Sequence, residues 1–223
     1  MGALGATNAT ELRPSDVPAS ITGRWVLLRA VSREDLPAFF RWRVDVFEMH
    51  LWASSKRVPT FEEFATELDQ MLRQTITFLT VNKQTGQPIG FVQAYNLNLN
   101  EGWCYALVYT APRYRRGHGV EAYVGLLDYL FRSFNLRKIY ADVFEFNADS
   151  MSPLMSAGFV EEGRFRQHVW FEKQYWDVIR FAIYRDDWYR FRERTHFVLG
   201  VAEEAADLLE QQAERDGKTV TTT

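Results

Sequence analysis

The sequence predicts one α/β domain, built on a mixed, mostly antiparallel central sheet of about seven strands with flanking helices. Segments with strand-like and helix-like hydrophobic periodicity alternate along the chain. A turn signal at residues 84–88 joins two strand-like segments into a hairpin. One long amphipathic segment separates the strand-like segments 103–110 and 138–143. Such a crossover helix makes its flanking strands parallel neighbours.

The first elements begin with recognisable signals. A strand is predicted over 24–30, which is rich in Trp, Val and Leu. Ser32 is a good N-cap and begins a helix whose apolar residues recur at helical spacing. Thr60 and Glu63 have the spacing of a capping box and begin a second helix. Two helices therefore follow the first strand before the hairpin.

The later elements complete the sheet and end in a helix. Hairpin strands are predicted over 75–82 and 89–96, and the long helix over 120–135. Pro153 and Gly158 limit a short helix at 149–157. The remaining elements are strands at 159–171 and 175–184 and a last helix from Asp186 to about 212. The predicted organisation is a flexible segment 1–20, a domain 21–190, a C-terminal helix 191–212 and a disordered tail 213–223.

The composition favours an ordinary intracellular globular protein. Its 223 residues are 47% hydrophobic, and its net charge of −3 gives no reason to expect nucleic-acid binding. A single cysteine suits the reducing cytoplasm, where we expect the protein to be located. No apolar run is long enough to span a membrane. The apolar positions of the C-terminal helix can close the domain or contact a second subunit, so a homodimer is left open.

The most informative motif is the glycine-containing loop at 116–119, Arg-Gly-His-Gly, between a strand and the long helix. The first turn of a helix has unpaired N–H groups and the positive end of the helix dipole. Glycine lets a bulky anion approach those amides. The loop is therefore predicted to bind a pyrophosphate.

A nicotinamide dinucleotide is one candidate for that pyrophosphate. Gly117, Gly119 and Ala122 fit the dinucleotide fingerprint, with Glu145 as the ribose acid. However, six residues, 111–116, separate the strand from the glycines, whereas the dinucleotide turn follows its strand immediately. A coenzyme A pyrophosphate is the alternative that the rest of the chain favours.

The chain resembles the GNAT superfamily of N-acetyltransferases, in the branch of ribosomal-protein N-terminal and spermidine acetyltransferases. Its loop matches the superfamily pattern Gln/Arg-x-x-Gly-x-Gly/Ala at Arg116 and Gly119, whereas Glu121 stands where Gly or Ala is usual. The segments at 147–150 and 158–159 resemble the branch's Asn-x-x-Ser and Gly-Phe elements. The resemblance extends from about 23 to 188 and implies the GNAT fold with splayed central strands.

The resemblance implies an acyl-coenzyme A substrate and no metal. The loop amides would bind the pyrophosphate, with nearby arginines adding charge, and the splayed strand and the Asn-x-x-Ser segment would contact the pantetheine arm. The implied residues are Ala106, Leu107, Val108, Arg113, Arg115, Arg116, Gly117, His118, Gly119, Val120, Glu121, Asn147 and Ser150. Glu121 can complement the helix dipole if it points away from the phosphates. An acyl chain longer than acetyl, or delivery by a carrier protein, is left open.

The implied reaction is direct attack of an amine on the thioester. Candidate bases are Glu101, Glu48 and His50, because the amine must lose its proton. Many relatives have a Tyr that protonates the leaving thiolate; Leu154 stands there in this chain, so Ser150, Ser152 and Tyr105 are alternative acids. Cys104 is interpreted as a core residue rather than a nucleophile.

The acceptor is expected to be a primary amine of a small molecule or of a protein N-terminus. The segment between the first strand and the hairpin is rich in aromatic residues, and Trp103 and Tyr105 share one face of their strand. The predicted acceptor residues are Trp42, Phe47, Trp52, Trp103 and Tyr105. Because Leu154 and Glu121 depart from the family pattern, a catalytically silent binding module is the alternative to an enzyme.

Overall fold

A computed structural model describes residues 20–53, 55–114, 117–150 and 155–195. In this part of the chain, four helices and eight strands form the domain. The strands are β1 (Ile21–Thr22), β2 (Val26–Ala30), β3 (Ile76–Asn82), β4 (Pro88–Asn98), β5 (Trp103–Thr110), β6 (Lys138–Phe144), β7 (Val160–Phe171) and β8 (Gln174–Tyr184). The helices are α1 (Leu36–Val44), α2 (Phe61–Gln74), α3 (His118–Ser133) and α4 (Arg185–Thr195).

All eight strands belong to one sheet in the order β1-β2-β3-β4-β5-β6-β8-β7. Neighbouring strands are antiparallel except for β5 and β6, which are parallel and joined by α3. The predicted mixed sheet and its one crossover are thus confirmed. Strand β1 was not predicted, because two residues are too few to show a strand period.

A nicotinamide dinucleotide fold is contradicted by this topology. A doubly wound domain has a mostly parallel sheet, whereas the described strands form only one parallel pair. Glu145, which that hypothesis made the ribose acid, forms an ion pair with Arg164, with Nη1 3.2 Å from Oε1.

The larger core lies between one face of the sheet and helices α3 and α4. Leu126, Leu130 and Trp188 are completely buried in it. Leu126 and Leu130 come from positions of α3 that face the sheet, as the amphipathic pattern of the long segment predicted, and Trp188 comes from α4. The core fixes α3 against β4 and β5, and so fixes the position of its N-terminus.

A second core lies on the opposite face, where α1 and α2 cover β3, β4 and the C-terminal half of β5. Phe39, Phe64, Phe91 and Tyr109 are buried there. Thr60 caps α2, and its hydroxyl oxygen accepts a hydrogen bond from the Glu63 N–H, as predicted. This core covers only part of that face, so the side chains of β5, β6 and β8 beyond it are partly exposed.

An arginine at the start of the last described helix binds the end of α3. The guanidinium of Arg185 donates to the carbonyl oxygens of Phe131, Phe134 and Leu136, each at 2.7 Å. The Phe131 carbonyl lies in the last turn of α3, where helix carbonyls have no intrahelical partner, and the other two follow the end of the helix.

Among the described residues, no helix is both long and apolar enough to cross a membrane.

Candidate active site

Strands β5 and β6 separate from each other halfway along their length. They pair only from Trp103 with Lys138 to Tyr105 with Tyr140. Beyond these residues β5 remains paired with β4, and β6 remains paired with β8. We call the resulting gap the wedge. Its open end lies at the C-terminal ends of both strands, on the side of the loop that leads into α3.

Among the described residues, the N-cap position of α3 provides no side-chain cap. Gly117 is its N-cap residue, with a φ of 90°, a conformation that favours glycine. His118 Nε2 lies 3.2 Å from the Asn82 amide nitrogen, whereas its buried Nδ1 has no hydrogen-bond partner among the described residues. Uncapped helix amides beside an unpaired imidazole nitrogen fit an anionic group such as a pyrophosphate.

Gly119 allows α3 to lie close to β5. A Cβ atom at this position would be 2.7 Å from the Thr110 hydroxyl oxygen, closer than side-chain carbons approach. The second glycine of the motif therefore has a packing role, and the first has a conformational role. Arg115 and Arg116 lie outside the described residues. Arg113 lies over the Tyr114 ring, with Cζ 4.9 Å from the ring centroid.

Glu121, which departs from the family pattern, turns its carboxylate away from the loop. The side chain is buried, and its oxygens accept hydrogen bonds from the backbone N–H groups of Arg24, Trp25 and Val26, at 2.8 Å for Trp25 and 3.0 Å for Val26. The carboxylate thus fastens the start of β2 to the first turn of α3. Because three backbone donors satisfy the carboxylate, the repulsion expected between it and a bound phosphate is reduced.

Tyr123, which was not among the predicted site residues, reaches the wedge from the α3 side. The Tyr123 hydroxyl donates to the Ala106 carbonyl oxygen at 3.3 Å, one residue beyond the paired part of β5. Burial raises the pKa of Tyr123, and the nearby Asp142 carboxylate adds to the rise. The phenol therefore stays neutral and acts as a hydrogen-bond donor. The signal for it was its position four residues after Gly119, on the same helix face.

The opposite face of the sheet has an aromatic and charged cluster at the closed end of the wedge. The ring of Tyr105 lies 5.1 Å from Tyr140 and 5.3 Å from Tyr95, measured between centroids. Arg180 lies over Tyr105, with Cζ 4.8 Å from the ring centroid, and donates to both oxygens of Asp142 at 2.8 Å. We call these five residues the tyrosine–arginine cluster.

The geometry agrees with a family comparison. The family model for the acetyltransferase (GNAT) domain matches residues 26–160, more than half of the chain. The chain belongs to the GNAT acetyltransferase family.

The chain is also similar to individual acetyltransferases over most of their length. The chain is 22% identical over 171 residues to the SPbeta prophage-derived uncharacterized N-acetyltransferase YokL of Bacillus subtilis (strain 168), covering 74% of this chain and 93% of the relative. Spermidine N-acetyltransferase from Vibrio cholerae, solved with CoA and spermine, superposes with a TM-score of 0.68 at 24% identity, covering 74% of this chain and 98% of that one. A GCN5-related N-acetyltransferase from Brucella melitensis gives a TM-score of 0.65 at 20% identity, with 84% and 88% covered. At these identities the likeness of the two solved structures shows the fold.

Two of the predicted acceptor residues lie in the second core of the GNAT domain. Trp42 and Trp52 pack on Phe91 and Tyr109, with ring centroids 5.2 to 6.3 Å apart. They are not part of the tyrosine–arginine cluster. Packing against neighbouring apolar side chains accounts for their pattern, and their role in acceptor binding stays a prediction.

The other predicted acceptor residues lie in two different places. Phe47 is 74% exposed in the connection between α1 and α2. Trp103 lies beside the tyrosine–arginine cluster, 5.9 Å from Tyr105 and 6.0 Å from Tyr140 between ring centroids. The structure therefore brings Trp103 and Tyr105 together at the wedge but does not bring Phe47 into that group.

The three candidate bases are not brought together. His50 Nδ1 lies 2.7 Å from the Lys56 ammonium, and burial together with that charge lowers the pKa of His50, which favours the neutral imidazole. Glu48 lies two residues before it, at the start of the same 3₁₀ turn. Glu101 is exposed in the turn before β5, at the paired end of the strand rather than at the wedge. Their catalytic roles stay predictions.

Cys104 lies inside the larger core and has no access to solvent. Burial raises the pKa of its thiol to about 12. Because the thiolate is the nucleophilic form, this cysteine is unsuited to form an acyl-enzyme. Asn147 is exposed within the 3₁₀ segment Glu145–Ser150 that follows β6. The side chain of Ser150, and residues Ser152 and Leu154, lie outside what the structure describes.

Proposed function

We propose that this protein is an acyl-coenzyme A-dependent N-acyltransferase. It would move an acetyl or other short acyl group to a primary amine of a small molecule or of a protein N-terminus, by direct attack in a ternary complex. One observation carries the proposal: the wedge between β5 and β6 opens toward the uncapped N-terminus of α3. An extended, pyrophosphate-bearing thioester has the shape and charge to occupy both.

The substrate would lie along β5. The N–H groups from Gly117 to Val120 would hold the pyrophosphate, because the first turn of a helix has free donors and a positive dipole end. Backbone groups of Ala106–Val108 would pair with the pantetheine arm as an added strand does. The acyl carbonyl would then lie inside the wedge, where a backbone N–H near Val108 can polarise it.

The acceptor amine would attack that carbonyl from the side of the tyrosine–arginine cluster. The amine nitrogen forms a bond to the carbonyl carbon, the carbon–sulfur bond breaks, and the amine's proton leaves through a base or a water chain. The thiolate needs a proton to leave as coenzyme A. Tyr105 is half-buried at the closed end of the wedge, and burial raises its pKa. It is therefore a neutral hydroxyl within the reacting region.

Coenzyme A binding tests the first half of the proposal. We expect Gly117→Ala to weaken binding at least about tenfold by calorimetry, because a φ of 90° is strained for alanine and distorts the loop. Gly86→Ala is the matched control, since Gly86 also has a positive φ, 66°, but lies in the hairpin turn with open space around it. The proposal is supported if the two variants lose similar stability but only Gly117→Ala loses affinity for coenzyme A. It is contradicted if the wild-type chain does not bind coenzyme A.

Acetyl transfer separates an enzyme from a silent binding module. Purified protein is mixed with acetyl-coenzyme A and a panel of primary amines, and products are identified by mass. Transfer to any amine of the panel above the uncatalysed rate supports the enzyme. Coenzyme A binding without transfer to any of them would support the module instead.

A further inference from the structure

Only one face of the sheet leaves an open approach to the wedge in the described part of the chain. On the α3 side, Cys104, Ala106 and Tyr123 are buried in the larger core. On the other side, Tyr105 and Arg180 are half-buried and covered by none of the described helices. If the protein is the acyltransferase proposed above, on which this inference rests, the acceptor must contact the tyrosine–arginine cluster.

Arg180 is held rigidly in that cluster but keeps unused donors. Its Nε and one Nη2 proton bind Asp142, and its Cζ lies 4.8 Å from the Phe165 ring centroid and 5.5 Å from that of Tyr140. A guanidinium has five N–H donors, so three remain. Among the described residues no acceptor lies within hydrogen-bond distance of these three. The side chain is 27% exposed, so a ligand can reach them.

The carboxylates around this cluster are already paired. Asp142 is paired with Arg180, and Glu162 accepts from Lys138 at 2.7 and 2.9 Å and from the Tyr184 hydroxyl. Lys138 also lies over the Tyr140 ring, 4.6 Å from its centroid. A polyamine carries several positive charges and needs unpaired carboxylates. This surface instead presents two cations, one of which retains free donors.

We propose that Arg180 binds a carboxylate of the acceptor, so that the acceptor is a small amino acid-like amine rather than a polyamine. The planar guanidinium matches a carboxylate with two parallel hydrogen bonds, and the rings of Tyr105, Tyr140 and Phe165 provide an apolar wall for the rest of the molecule. Arg180 is thus a specificity residue, and its anchoring by Asp142 fixes the direction of its free donors.

Two acceptors that differ only in the carboxylate test this inference. Release of coenzyme A from acetyl-coenzyme A is measured with L-phenylalanine and with 2-phenylethylamine, and with spermidine as the polyamine. We expect Arg180→Gln to lower kcat/KM for phenylalanine by roughly 10- to 100-fold, the usual effect of losing a charged hydrogen-bonded pair. For phenylethylamine, which has no carboxylate for the guanidinium to bind, the loss should be under about threefold, because no charged hydrogen-bonded pair is removed.

Two further variants control for folding and for general charge. Arg180→Lys keeps the charge but loses the planar fork, and should lose part of the phenylalanine activity while remaining folded. Arg164→Gln removes an exposed arginine of β7 that pairs with Glu145 and Asp177, and should leave both acceptors unaffected. Coenzyme A affinity is measured for each variant. If Arg180→Gln does not fold, the test uses Arg180→Lys instead. A larger loss of kcat/KM for phenylalanine than for phenylethylamine supports the inference, and equal losses overturn it.

The outcomes separate this inference from the proposed function. An equal loss for both acceptors gives Arg180 a structural role and overturns the inference, as does spermidine being the best substrate of the wild type. Acetylation of amines without a carboxylate, and not of phenylalanine, overturns the inference and leaves the acyltransferase intact. Transfer to none of the amines, with coenzyme A bound, contradicts the proposed function itself.

Discussion

A single carboxylate joins two segments that are far apart in the chain. Glu121 accepts hydrogen bonds from the backbone N–H groups at 24–26, and a Cβ atom on Gly23 would lie 2.6 Å from its Cδ. A buried carboxylate is costly unless its lone pairs are satisfied, and here three donors satisfy them. The residue that interrupts the family loop pattern therefore has a structural partner in this chain.

We predict that Glu121→Ala lowers the free energy of unfolding by about 3 kcal/mol, because several backbone donors lose a charged acceptor. Glu121→Gln keeps one carbonyl oxygen and should lose about half as much. Urea unfolding measures both. Glu62→Ala is the control, since Glu62 also lies in the first turn of a helix but is exposed. A loss for Glu121→Ala no larger than that for Glu62→Ala would contradict the prediction.

At this scale the sequence showed which residue was unusual but not why. Glu121 stood out because carboxylates repel phosphates, and its position in the first helical turn suggested that it points away. Its partners could not be identified, since they lie 95 to 97 residues earlier and are backbone groups, which have no sequence signature. The same holds for Arg180 and Asp142, whose contact depends on strand register.

Among the elements, the junction of β2 and α1 depends on one buried carboxylate. Asp35 forms two hydrogen bonds with the Arg29 guanidinium, at 2.7 and 2.8 Å, and accepts from the Ser32 N–H and hydroxyl, at 2.8 and 2.9 Å. Burial by itself raises the pKa of Asp35, but the hydrogen bonds from Arg29 and Ser32 outweigh it and lower the pKa below its ordinary value. The charged form therefore stabilises the folded chain.

The sign of the pH dependence follows from that lowered pKa. The stabilisation is fully present above the pKa of an unfolded aspartate, about 3.9, and is lost as the pH falls from there through the folded pKa. We predict that Asp35→Asn lowers the unfolding free energy by about 2 kcal/mol at pH 7, and that this difference shrinks below about pH 4. Urea unfolding between pH 3 and 7 measures it, with Asp69→Asn on the exposed side of α2 as control. A difference that stays constant with pH would refute the prediction.

Element order was predictable because capping, turn and periodicity signals are local. Thr60 with Glu63 marked the start of α2, and the turn at 84–88 marked the hairpin. The aromatic segment before α2 was ambiguous, because Trp42 and Trp52 suit either a core or a pocket. Their contact with Phe91 is a tertiary contact, which the local sequence pattern cannot predict.

At the scale of the whole molecule, the start of α4 is bound to the C-terminal end of α3. Arg185 donates to the Phe131 carbonyl in the last turn of α3 and to the Phe134 and Leu136 carbonyls just after it, where a cation also complements the helix dipole. Trp188, one turn later, is completely buried against Phe131. The described helix α4 is thus part of the core.

We predict that Arg185→Ala lowers the unfolding free energy by about 2–3 kcal/mol, because buried carbonyls lose their donors. Arg185→Lys supplies one ammonium instead of a planar fork and should recover only part of this. Arg190→Ala, on the exposed face of the same helix, should cost under about 0.5 kcal/mol. Thermal and urea unfolding compare the three, and equal losses for Arg185→Ala and Arg190→Ala would count against the prediction.

The fold of the whole chain was predictable to the level of a mixed sheet with one parallel crossover, since the order of elements allows few topologies. The wedge was expected only through the family resemblance, because nothing in the spacing of residues shows where two strands separate. Trp103 and Tyr105 were found from their alternation on one strand. Tyr140 lies on the neighbouring strand, so its place beside Tyr105 could be known only from the register of β5 and β6.

The burial of Cys104 has a practical consequence for the laboratory. It is the chain's only cysteine, and a thiol whose pKa is about 12 is almost entirely protonated at assay pH. A disulfide reagent added to detect free coenzyme A would therefore react very little with the protein itself. Because Cys104 is unreactive, a cysteine introduced at the surface would be a unique attachment point for a fluorophore or spin label.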